Sequence, residues 1–131
     1  MNQKMQVVLR MVPLSLVMGT IFLMSHQPGD SISLPDLPGA DKLAHMMVYG
    51  VLAGTVILAL SENLKNTKPG MVLVFSVVFC FFYGLSDEFH QSFIPGRTAS
   101  VYDLMADCAG AAMVSAFWVR WRKRFILINR V

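Results

Sequence analysis

The stretch MVLVFSVVFCFFYGL, residues 71–85, carries no charged side chain, and its reading decides the fold. A helix crosses the hydrocarbon core of a bilayer with about 20 mostly apolar residues. No helix breaker follows Leu85 until Pro95-Gly96, so the spacing predicts a helix from Met71 to about Phe93. That length spans a membrane, and its last two turns carry charge. Working outward, three further apolar runs of similar length appear. One covers 5–24, with Arg10 and Pro13 early and Gln27-Pro28-Gly29 closing it. Another covers 43–60, after Leu34-Pro35-Asp36-Leu37-Pro38-Gly39, which cannot propagate a helix. The last covers 101–121, where Ser100 followed three residues later by Asp103 matches a capping box. The expected fold is all-α: a single-domain bundle of four transmembrane helices over residues 1–131. A signal peptide is the rival reading of the first span, with Gly29-Asp30-Ser31 as a poor cleavage site; a retained helix is favoured.

Composition agrees. Of 131 residues, 55% are hydrophobic and 15% charged, against about 25% charged in soluble domains. A water-soluble globule is excluded. Cys80 and Cys108 make neither a disulfide scaffold nor a zinc-finger spacing. Lys4, Arg10, Lys65, Lys68, Arg120, Arg122, Lys123, Arg124 and Arg130 fall on one side of the four spans, and only Lys42 and Arg97 on the other. By the positive-inside rule both termini are expected in the cytoplasm of a plasma (inner) membrane. The net charge of +3 is then an orientation device, and nucleic acid is not an expected partner. Membrane lipids are. Gly50 and Gly54 form a GxxxG face, read first as packing within the chain and second as a homo-oligomer seam.

The remaining polar residues collect at the outer ends of spans two, three and four. Asp41, His45 and Tyr49 are four apart and share a helix face beside Lys42. Asp87 and Gln91 share a face with Tyr83, while Glu88 is rotated away and His90 follows a turn later. The loop adds Arg97, Thr98 and Ser100; the fourth helix adds Asp103 and Asp107. Ionisable groups at membrane depth are costly unless paired or lining an aqueous cavity. Asp87 and Glu88 also sit at a helix C-terminus, where the macrodipole disfavours acids. Arg97 and Lys42 are the expected cations holding them, with a ligand or metal as the other option. Taken singly, Asp103 reads as a cap, Asp41 as an N-terminal helix acid, and His45 as a satisfied core histidine.

The string from Tyr83 to Asp103, YGLSDEFHQSFIPGRTASVYD, resembles the signature of the VanZ-like family of small integral membrane proteins. The pattern Asp41-Lys42-x-x-His45-x-x-x-Tyr49-Gly50 and the later Asp103-x-x-x-Asp107-x-x-Gly110 are similar to that family in the same order. The resemblance covers Asp41 to Ala112. It implies a membrane bundle whose ligand-binding motif residues are Asp41, Lys42, His45, Tyr49, Asp87, Glu88, Gln91, Arg97, Ser100, Asp103 and Asp107. The position of Asp107 is often Asn in that family. The founding member is associated with low-level resistance to the lipoglycopeptide teicoplanin, and the family is largely bacterial.

Three functions follow. The first is binding of an anionic envelope lipid, lipid-linked precursor or lipoglycopeptide at an extracytoplasmic site, with Arg97 and Lys42 on the anion and His45 and Tyr49 as hydrogen-bond partners. The second is a membrane hydrolase or transferase acting on a lipid-linked substrate, with Asp87, Glu88 and His45 as catalytic candidates. HExxH and nucleophile-elbow motifs are missing from the sequence. The third is a structural scaffold subunit. No cofactor is expected; a divalent metal at His45, Asp87, Glu88 and His90 is the minor alternative. Ion transport is disfavoured, because the polar residues stop in the outer half of the spans.

Overall fold

A computed structural model describes residues 2–29 and 38–128. The breaker segment up to Leu37 lies outside the described residues. Helix α1 runs Gln3–Ser25, α2 Ala40–Ala59, a short α3 Glu62–Thr67, α4 Pro69–Gln91 and α5 Val101–Ile128. No strand occurs among the described residues.

Local chemistry sets the boundaries. Gly39 precedes α2 at φ 81, a left-handed conformation that glycine adopts without a Cβ penalty. Ser61 caps α3 by accepting from the Leu64 N–H at 3.3 Å. Pro69 opens α4 at a position where a missing N–H costs nothing. This helix stops at Gln91, two residues before the expected end. There Phe93 and Ile94 donate to the carbonyls of His90 and Gln91, a tighter turn that leads into Pro95 and into Gly96 at φ 74.

Helix α5 packs chiefly on α2 and next on α4, while α1 lies along α2 and touches α4. The α2–α5 approach is very close. A Cβ on Gly110 would lie 1.9 Å from the Met46 carbonyl oxygen, and one on Gly50 would lie 3.1 Å from Val114. Gly50 is thus spent on packing within the chain, whereas a Cβ on Gly54 would meet nothing within 4 Å. Ile21, Tyr49, Leu52, Ala53, Cys80 and Ala111 form the core.

Three helices, α1, α2 and α4, are long and apolar enough to cross a membrane. Their outward faces expose large apolar side chains such as Leu16, Phe22, Val51, Phe75 and Phe82, as surfaces solvated by lipid do. Helix α5 has the length, 28 residues, but is less apolar. Asp103, Asp107 and Ser115 are buried on it.

The bundle has two chemically different ends. At one, Glu62 faces Lys65 at 3.0 Å, Arg10 at 3.6 Å and Arg122 at 3.7 Å, linking α3 to α1 and α5. Hydrogen bonding from Lys65 holds the Glu62 carboxyl below the usual range, against a smaller opposing effect of burial. Arg122 also donates to Asn66 and lies over Trp118. The start of α1 and the late turns of α5 therefore share this end. The other end gathers the polar motifs.

Candidate functional site

Helix α4 turns two differently armed faces toward its neighbours. Its Tyr83–Asp87–Gln91 face meets α1. The Tyr83 hydroxyl donates to the Met18 carbonyl at 2.6 Å, and the Ser25 hydroxyl donates to Asp87 Oδ2 at 2.9 Å. Gln91 donates to the same carboxylate oxygen at 3.0 Å. Glu88, a residue further round, points to the start of α5, where Oε2 accepts the Ser100 N–H at 2.7 Å. An acid at the negative end of one helix is thereby placed at the positive end of another.

Helices α2 and α5 build the second half. Lys42 lies 2.7 Å from Asp41 and 2.5 Å from Asp103. One turn deeper, His45 Nδ1 is 2.9 Å from Asp107 Oδ1. A Cβ on Gly84 would come within 2.8 Å of Asp107 Oδ2 and 3.3 Å of the Tyr49 ring, so the glycine leaves room for both. Tyr49, Asp87, Glu88, Gln91, Asp103 and Asp107 are all buried.

Several expectations are corrected. Neither Arg97 nor Lys42 pairs with Asp87 or Glu88. Instead Asp87 Oδ2 accepts from Ser25 and Gln91 and Glu88 Oε2 accepts from the Ser100 N–H, while Glu88 Oε1 accepts from none among the described residues. Arg97 donates to the carbonyls of Met24 and Gln27 at 3.0 and 3.2 Å, where the last carbonyls of α1 lack intrahelical partners. Asp103 does not close the capping box, since Glu88 takes the Ser100 N–H and Asp103 pairs with Lys42. The expected metal set also divides. His90 leaves it to meet His26, ring nitrogen to ring nitrogen at 3.2 Å, and Asp87 faces α1. The residues that do offer mutually close ligand atoms, all within 4.8 Å, are His45, Glu88 and Asp107.

Between these networks lies an open cavity of about 290 Å³. Its lining mixes the apolar Ile21, Met24, Ala44 and Val48 with the polar Ser25, Asp41, His45, Tyr49, Asp87, Gln91, Arg97, Thr98 and Asp103. Ser25 in the cavity lining and His26 beside His90 escape sequence reasoning. A serine and a histidine at the end of an apolar run have no periodic partner on their own helix, and only the neighbour reveals their use.

The fold and site define a class: a small all-helical membrane protein with a half-polar cavity at one end of its bundle. The chain belongs to the VanZ/LLP1 family, whose model matches residues 2–122. It is also similar to an uncharacterized protein of Schizosaccharomyces pombe, 27% identical over 104 residues. The match covers 79% of this chain and spans 61% of that relative's length. No solved structure matches.

Proposed function

We propose that the chain is a four-crossing plasma-membrane protein, both termini cytoplasmic, that binds an anionic head group in its extracytoplasmic cavity. The ligand class is an envelope lipid, a lipid-linked precursor or a lipoglycopeptide. One observation carries this reading: Arg97 lines a cavity together with the apolar side chains of Ile21, Met24, Ala44 and Val48, a mixed lining that suits a charged head on a lipid tail. Arg97 uses two of its five N–H groups on the Met24 and Gln27 carbonyls, which leaves three for a ligand. Lys42, already between two carboxylates, positions the start of α2 against α5 rather than offering free charge. Binding of a teicoplanin-type lipoglycopeptide would connect the cavity to the resistance associated with the family's founding member.

The test is lipid retention measured by native mass spectrometry, together with teicoplanin susceptibility of cells expressing the chain. Arg97→Ala should abolish both effects while membrane abundance is preserved. Undiminished binding at full abundance overturns the proposal.

A second reading, a hydrolase or transferase on a lipid-linked substrate, draws on the His45–Asp107 pair. A histidine held by a buried carboxylate and lining a cavity has the arrangement of a general base. Turnover of a lipid-linked diphosphate that disappears in His45→Gln would favour it over binding alone.

A further inference from the structure

The cavity is rich in acid. Among the described residues Asp41, Asp87 and Asp103 line it and Glu88 and Asp107 are buried beside it, five carboxylates against the two cations Lys42 and Arg97, of which Lys42 is already shared between two acids. Within this group Glu88 and Asp107 are 6% and 1% exposed, and each keeps one oxygen, Oε1 and Oδ2, without a hydrogen-bond partner among the described residues. Buried carboxylate oxygens without partners are rare, because desolvating them is costly. The adjacent Tyr49 hydroxyl is also buried and without a partner.

We infer that His45, Glu88 and Asp107 form a binding site for one divalent first-row cation such as Zn²⁺ or Mn²⁺. The three residues come from α2, α4 and α5, and their ligand atoms all lie within 4.8 Å of one another. Bonds of about 2.0–2.2 Å set the ligand atoms of a tetrahedral ion about 3.3–3.6 Å apart, so side-chain movements of up to about 1.5 Å close the set. The 2.9 Å between His45 Nδ1 and Asp107 Oδ1 is a hydrogen bond that the ion would replace, spreading the two atoms toward the roughly 3.4 Å edge of a tetrahedral site. An imidazole nitrogen among the ligands favours a first-row ion over Mg²⁺ or Ca²⁺, which take oxygen. Three protein ligands leave positions for water, and His45 lines the cavity through which the ion would enter. The site goes beyond the head-group reading and does not depend on it. An ion there would also offset the acid excess that otherwise opposes an anion.

The test uses the full chain, purified in detergent without a polyhistidine tag, stripped with chelator and titrated with Co²⁺ while its visible absorption is recorded. His26 and His90 lie 3.2 Å apart and exposed, so the titration is made in a His26→Gln/His90→Gln background, which removes a competing surface pair. One ion per chain is expected in that background. Glu88→Gln and His45→Ala should each weaken binding by at least ~10-fold. Asp107→Asn, which keeps an acceptor for His45, should also weaken it while the chain remains monodisperse. Loss of binding in the His26/His90 background, or unchanged affinity in all three cluster variants, overturns the site. Because no lipid is present, either result is independent of head-group binding.

Discussion

Asp87 and Glu88 are neighbours in the chain with different tasks. One residue of helix is a rotation of about 100°, so they face α1 and α5 respectively. Asp87 depends on a serine that donates at 2.9 Å from another helix. Ser25→Ala should therefore lower thermal stability in detergent by about 1–3 kcal/mol, the usual result of stripping a partner from a buried polar group. Gln91 remains on the carboxylate, which places the loss toward the lower figure. That Asp87, Gln91 and Tyr83 share a face, with Glu88 off it, is legible from helical spacing alone. That the satisfying donors are a hydroxyl, an amide and a backbone N–H is not, because all but Gln91 lie far away in the chain.

The glycines separate the helix pairs by function. Gly110 lies where the Met46 carbonyl leaves no space for a Cβ, and Gly54 lies in the open. Gly110→Ala should force α2 and α5 apart and cost at least about 1–3 kcal/mol as overpacking. Gly54→Ala should be neutral or stabilising by up to about 1 kcal/mol, through helix propensity. Unfolding in detergent, followed by circular dichroism, checks the pair. Both residues belong to small-residue faces visible in the sequence. Which of them touches a backbone depends on the rotation of α2 about its axis, and that is set by packing. The capping box at Ser100–Asp103 shows the same division. The motif correctly marks the start of α5, but Lys42 draws Asp103 away and Glu88 serves the free N–H.

Across the whole bundle, charge is segregated by end. The Glu62 cluster ties α3 to α1 and α5, and its carboxyl titrates below the usual range because Lys65 bonds to it. A lowered folded-state value means that the stabilisation is fully present above the unfolded carboxyl's titration. It is lost as pH falls through the folded one. Wild type should therefore melt above Glu62→Gln near neutral pH, and the two should converge in acid. Glu62 is 51% exposed, so the gap should stay within about 0.2–1 kcal/mol and shrink with salt. Melting curves against pH in detergent measure it.

The sequence by itself determined the four long helices, the apolar surfaces of three of them and the concentration of polar motifs at one end. Those features follow from hydropathy, helical periodicity and turn chemistry, which act over a few residues. The sequence did not show α3 at Glu62–Thr67, and it ended the last helix at 121 where α5 continues to Ile128. Only the tertiary structure decided who partners whom. It sent Arg97 to the carbonyls of Met24 and Gln27 at the end of α1 and just beyond it, sent Lys42 to Asp103, moved His90 out of the metal set, and put Asp107 beside His45 and Glu88. The physical reason is desolvation. Burying a polar group without a partner is costly, and the partner within reach is fixed by how the helices rotate and approach, not by their order along the chain.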